Sequence, residues 1–176
     1  MNASLVITLI GNDRPGLVNA LAARAAAAGA NWLESSMAQL AGKFAGIVRL
    51  EIAEAEAGKL EAALRELESE GLRLTIERGA AASAAGTPRT TKFAVVGHDR
   101  PGIVREISAA LARHGASISK LETACENASF SGEPLFRASI EVQVPASVQP
   151  ASLKAELETL ANELMVDLNL EDETSN

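Results

Sequence analysis

Two copies of one short turn hold the residues of this chain best suited to chemistry, Asn12-Asp13-Arg14-Pro15-Gly16 and His98-Asp99-Arg100-Pro101-Gly102. An Asp ahead of a helix accepts from free backbone donors and complements the helix dipole, and Pro suits a first helical turn because its missing N–H would go unpaired there. On that structural reading, loss of each Asp cap costs about 1 kcal/mol. A helix N-terminus following a strand is also a natural seat for a small anion such as a carboxylate, so both uses of the turn stay open. It is not a phosphate loop, since it lacks the spaced glycines and the Lys-Ser/Thr of a Walker sequence.

Other reactive residue types are sparse. His98 and His114 are the only histidines, and His114 falls where a helix should end, a position favourable for a cation. Cys125 lies in an alternating stretch with Leu121 and Thr123 and reads as a small packing residue rather than a nucleophile. The acids Glu51, Glu54, Glu56, Glu61, Glu66, Glu68 and Glu70 have the spacing of a solvated surface. No catalytic triad, metal-ligand spacing or cofactor motif is legible, so the chain is expected to be no enzyme, without metal or cofactor.

The elements that must position the two turns form a repeat. GNDRPGLV at Gly11–Val18 recurs as GHDRPGIV at Gly97–Val104, an offset of 86 that persists through Gly29-Ala30 and Gly115-Ala116. Further on, Gly42 and Leu50-Glu51-Ile52 match Gly132 and Ile140-Glu141-Val142 at an offset of 90, which places four extra residues in the second hairpin, at Asn127–Ser131. Leu60, Leu64 and Leu67 match Leu153, Leu157 and Leu160 at 93, and Leu72, Leu74 and Ile76 match Val166, Leu168 and Leu170 at 94.

Within each copy the periodicity predicts a strand at Ser4–Ile10, a helix over Pro15–Ala28 closed by Gly29, and a hairpin of Trp32–Leu40 and Phe44–Ile52 about Ala41-Gly42-Lys43. A second helix over Glu56–Glu70 and a final strand follow. The order βαββαβ implies an α+β fold of two ferredoxin-like modules, each an antiparallel sheet with both helices on one face. The expected division is 1–79, a linker at 80–90 where small residues meet Gly and Pro, 91–172, and an acidic tail at 173–176. Modules this small gain stability by association, so pairing of the modules, or of two chains as a homodimer, is expected, with Asn12, Asp13 and Asn31 near the contact and Trp32 shielded.

Composition excludes several functions. Of 176 residues, 16 are Lys or Arg and 23 Asp or Glu, a net charge of −7 that offers little to phosphates, and Trp32 with four Phe and no Tyr makes no base-stacking platform. Direct nucleic-acid binding is therefore not expected. No run approaches the length of a membrane span or a signal peptide, and a single cysteine permits no intrachain disulfide, which together suit the reducing cytoplasm.

A strand, a D-R-P-G turn, a helix closed by Gly and then Ala30-Asn31-Trp32 resemble an ACT domain, the small-molecule sensing module of amino-acid metabolism, in both halves of the chain. The tandem arrangement and the stretch Ser131-Gly132-Glu133-Pro134-Leu135-Phe136-Arg137 are similar to ACT-containing transcriptional repressors concerned with glycine breakdown. The resemblance implies a ligand between modules, against the first strand-helix turn and the start of the second strand. The matching polar positions are Asn12, Asp13 and Asn31 in the first half and His98, Asp99 and Ser117 in the second. The family's best-known binding turn has a His two residues before an Asn, whereas Gly11 precedes Asp13 and Gly97 precedes Asp99 here. An Asp accepts from an α-ammonium and Asn31 both donates and accepts, so the same residues suit either a zwitterion or simple turn caps. The function so implied is metabolite sensing, of glycine or another amino acid, with transcription controlled indirectly through a protein partner, a DNA-binding activator. The alternatives are a regulatory subunit of an enzyme of amino-acid metabolism and a formyltetrahydrofolate-deformylase-like enzyme, for which a catalytic domain is lacking.

Overall fold

The computed structural model describes residues 1–79, 89–127 and 134–171. The residues expected to form most of the linker, the hairpin insertion, Ser131-Gly132-Glu133 and the acidic tail lie outside them. The chain separates into two compact units, residues 1–83 and 84–176.

The first unit runs β1 (Asn2–Asn12), α1 (Leu17–Ala27), β2 (Asn31–Leu40), β3 (Lys43–Ala53), α2 (Ala57–Arg65) and β4 (Leu72–Arg78). The second repeats it as β5 (Arg89–His98), α3 (Ile103–Arg113), β6 (Ser117–Asn127), β7 (Pro134–Val144), α4 (Pro150–Leu164) and β8 (Val166–Glu171). Strand order is β2-β3-β1-β4 in one sheet and β6-β7-β5-β8 in the other, with every pairing antiparallel. This is the ferredoxin-like α+β arrangement in each unit.

The period-two pattern of β1 explains its central place. Leu5, Ile7 and Leu9 are buried toward the helices, while Thr8 and Ile10 stay exposed on the other face. From α1, Leu17, Leu21 and Ala25 meet them at four-residue spacing, and from α2, Leu60 and Leu64 do the same. Each fully buried Leu or Ile contributes about 1.5–3 kcal/mol. Phe93, Val95, Ile107, Leu111, Val142 and Leu157 build the equivalent core of the second unit.

Repeated local devices set the ends. Gly29 and Gly115 close α1 and α3 with positive φ, and the following Ala30 and Ala116 donate back to Ala25 and Leu111 in a Schellman motif. Between β2 and β3, Ala41 (φ 49°) and Gly42 (φ 74°) form a two-residue turn of the primed kind that suits twisted strands. A bulge interrupts β2 between Trp32 and Glu34, and its copy interrupts β6 between Ile118 and Lys120. Trp32 is half-buried against its own module's core.

Three expectations change. The first helix starts at Leu17 rather than Pro15, because Gly16 takes the cap position with φ 91°. The span Glu56–Glu70 is not one helix: α2 ends at Arg65, and Glu66–Glu70 tighten into a 3-10 segment that keeps Leu67 buried before Gly71 turns the chain at φ 90°. The hairpin offset is 92 rather than 90, since Leu5 faces Leu50 while its counterpart Thr91 faces Val142. The second hairpin is thus longer by six residues, the difference between 92 and 86. Alternation repeats every two residues, so Leu-Glu-Ile aligns as well with Ile-Glu-Val as with its structural partner Val-Gln-Val.

Candidate functional site

The D-R-P-G turn joins β1 to α1 and β5 to α3. In each copy the Asp main chain ties the turn to the neighbouring hairpin: the Asp13 N–H donates to the Gly42 carbonyl at 2.9 Å, and the Asp99 N–H to the Pro134 carbonyl at 3.0 Å. Gly16 and Gly102, both with positive φ, cap the helices through their carbonyls, which accept from Ala20 and Glu106. No side chain caps either helix, so Asp13 and Asp99 do not cap and Pro15 and Pro101 lie ahead of the helical turns. Both carboxylates remain exposed.

The glycine two residues before each Asp has a packing cause. A Cβ on Gly11 would stand 2.8 Å from Leu72 Cδ2 and 2.9 Å from the Gly71 carbonyl, and one on Gly97 would meet Val166 Cγ1 and the Met165 carbonyl. The chain entering the last strand crosses here, so a ligand-contacting side chain at this position has no room.

Arg14 and Arg100 are the residues whose role the sequence did not disclose. Arg14 Nη2 donates to a Glu70 carboxylate oxygen at 3.0 Å and lies 3.4 Å from the Glu70 carbonyl; Arg100 Nη2 lies 3.4 Å from the Glu163 carbonyl. In both copies the arginine fastens the turn to the carbonyl end of the module's second helical segment, where the dipole favours a cation. Its repetition was the available signal, but Glu70 lies 56 residues away. Arg24 Nη2 reaches the other Glu70 oxygen at 2.6 Å, and these donors, Arg14 first, hold the Glu70 carboxyl below its usual 4.5.

The six expected ligand residues do not converge within a module. Asn12 pairs with Lys43 on β3, whereas Asn31 pairs with Glu51, eight residues further along, which is roughly 27 Å at about 3.4 Å per residue. His98 and Ser117 are set apart the same way, facing Leu135 and Gln143 on β7. Asn12 and Asp13, or His98 and Asp99, share one end of a sheet; Asn31 and Ser117 sit at the opposite end. One small zwitterion cannot touch both ends of the same module. Asn12 Oδ1 also accepts from Lys43 Nζ.

Cys125 is exposed rather than a packing residue, because β6 is the edge strand of its sheet and is exposed from Ser119 to Glu126. Partial desolvation first, then the Asp99 carboxylate that accepts from it, push its thiol above the usual value. This opposes thiolate formation. His114, the C-cap of α3, adds a side-chain partner to its dipole position: Nε2 lies 2.6 Å from Glu156 Oε2, beside Arg113.

Residues 3–77 and 93–171 each match the model of the ACT domain, and the chain belongs to the ACT-domain family. It is a regulatory ACT protein related to the glycine cleavage system transcriptional repressor. The repressors of Escherichia coli K12 and Shigella flexneri are each 26% identical to it over 161 residues, covering 91% of this chain and 85% of theirs. A crystal structure of a protein of unknown function from Galdieria sulphuraria superposes with a TM-score of 0.82 at 32% identity, covering 97% of this chain and 98% of that one. A candidate glycine cleavage system transcriptional repressor of known structure shares the fold, with a TM-score of 0.74, 22% identity and 97% coverage of both chains. Among the described residues no helix is long and apolar enough to cross a membrane.

Proposed function

We propose that this chain is a non-enzymatic regulator whose tandem ACT modules sense a small metabolite, glycine or another amino acid, and control transcription indirectly through a protein partner, a DNA-binding activator. The observation that carries the reading is similarity to the repressors along 91% of the chain, with both modules included. The net charge of −7 supports an indirect route, since it opposes approach to a polyanion. The residue types repeated in the turns, an Asp and an Arg, suit an ammonium and a carboxylate. In this reading residues 1–79 and 91–172 are the modules, 80–90 the linker and 173–176 an acidic tail, and the protein works in the cytoplasm. A homodimer belongs to the same reading, because Ile10, Leu40 and Ile47 leave exposed apolar area on one module.

The test is calorimetric titration of the purified chain with the twenty amino acids, followed by co-purification with and without the one that binds. A bound amino acid and a captured DNA-binding protein are expected. Capture of a metabolic enzyme instead would replace the transcriptional reading with the regulatory-subunit one, and salt-dependent binding of the isolated chain to duplex DNA would overturn the indirect route.

A further inference from the structure

The sheet face turned away from the helices differs between the two modules. In the first, the strand register lays Thr75, Thr8, Ile47 and Ser36 in one row across β4, β1, β3 and β2. Alternation puts this row on the outer face, since its neighbours Ile7, Leu9 and Val48 are buried toward the helices. Ile10, Val6 and Ala45 flank it, and Ile47 and Ile10 are 52% and 39% exposed. Charges stand at the two ends of the face: Lys43 and Arg73 at one, Glu51, Glu77 and the Arg49–Glu34 ion pair at the other. Among the described residues Arg73 and Glu77 form no ion pair.

These charges are placed symmetrically about the central row. Arg73 and Glu77 lie two residues either side of Thr75, and Lys43 and Glu51 four residues either side of Ile47. A two-fold axis laid along that row, between two such faces, sets Arg73 over the Glu77 of a second copy and Lys43 over its Glu51, each twice, with Ile47 and Thr8 meeting their own copies at the centre. Aligned sheets pack about 10 Å apart, a gap that an Arg and a Glu side chain bridge from opposite sides. The second module lacks this pattern. Its matching row is Asn169, Ala94, Ser139 and Glu122, with Asp167 in the place of Arg73 and Arg137 in the place of Ala45. Its charges are paired within the module, Lys120 with Glu122, Lys92 with Glu141 and Arg137 with Glu126. The same axis there would set Glu122 against its own copy, a like-charge contact.

We propose that the outer sheet face of the first module is the homodimer contact, packed on the same face of a second copy about a two-fold axis along the Thr75–Ser36 row, and that the face of the second module takes no part. The proposal rests on the homodimer of the reading above and is separate from metabolite sensing. From Lys43 to Glu51, at about 3.4 Å per residue, and across four strands about 4.8 Å apart, the face offers roughly 500 Å² per copy. Two copies then bury about 1,000 Å², the lower bound of a specific interface, so the dimer dissociates on dilution.

Sedimentation velocity of the full chain over a range of concentrations tests this. A monomer–dimer equilibrium is expected, weakened about tenfold or more in Arg73→Glu, in Glu77→Arg and in Ile47→Glu, and unchanged in Ser139→Glu, the matching change on the second module. An equimolar mixture of the Arg73→Glu and Glu77→Arg chains should form a heterodimer, because each then meets an opposite charge on its partner. Circular dichroism checks that the variants fold, and if Ile47→Glu does not, the mixture carries the test. A dimer that persists in Arg73→Glu and Ile47→Glu, or that is lost in Ser139→Glu alone, would overturn this face and leave the homodimer standing. A mixture that stays monomeric would overturn the Arg73–Glu77 contact and the axis with it. A parent that is monomeric at every concentration would overturn the face and the homodimer together, with sensing untouched.

Discussion

Gly97 and Val166 face each other across β5 and β8 so closely that a Cβ on the glycine would stand 2.5 Å from Val166 Cγ1. The Met165 carbonyl and Val166 Cα, each 3.0 Å from that Cβ, belong to the backbone and cannot rotate away. Gly97→Ala is therefore expected to destabilise the second module by about 2 kcal/mol, in the range of overpacked cores. Urea denaturation checks this. A midpoint matching the parent's would show that the strands separate at no cost.

The aspartates of the turns make the opposite forecast. With no side-chain cap to lose, Asp13→Ala and Asp99→Ala should each change stability by less than about 0.5 kcal/mol, as at ordinary surface sites. Denaturation of the single variants decides, and a loss near 1 kcal/mol at either would reveal a cap.

Cys125 reports on its neighbour. The Asp99 carboxylate raises the thiol, so Asp99→Asn lowers it, increases the thiolate fraction and speeds alkylation by iodoacetamide at about pH 8. Equal rates in parent and variant would place the carboxylate elsewhere.

Acid should weaken both modules. The Glu70 carboxyl is held below 4.5 mainly by Arg14, and that of Glu156 mainly by Arg113 with His114. A depressed carboxyl stabilises the fold fully above its unfolded value and loses that contribution as pH falls through the folded one. The urea midpoint of the parent should accordingly fall on acidification below about pH 4.5, and less steeply in Glu70→Gln. Parallel slopes would mean that the two arginines do not act on Glu70. Exposure of the pair keeps the effect small.

What the sequence disclosed, and what it concealed, divides by distance. Leu5, Ile7 and Leu9 alternate within a few residues, and Gly29 follows its helix directly, so strands, helices and the doubled module were legible locally. The β3-to-β7 match slipped by two because an alternating strand looks the same after that shift. Asp13 has the type and place of a cap, one of the two uses its turn allows, yet Gly16, three residues on, holds the position. The Arg14–Glu70 contact spans 56 residues, beyond the reach of any local pattern. The opposite placement of Asn12 and Asn31 follows from strand direction: β1 and β2 are parallel, each pairing antiparallel to β3.

Each module's first strand lies inside its sheet, between the third strand and the last. During synthesis β1 therefore emerges first and must wait for β4, whose Leu72–Arg78 come near the end of the unit, before its second edge is paired. Until then that edge presents open backbone donors and acceptors beside apolar side chains, the condition under which nascent chains pair with the wrong neighbour. The same wait recurs for β5 and β8. A premature stop between β7 and β8 would thus release a chain with one finished module and one uncovered edge, which favours clearance over partial activity.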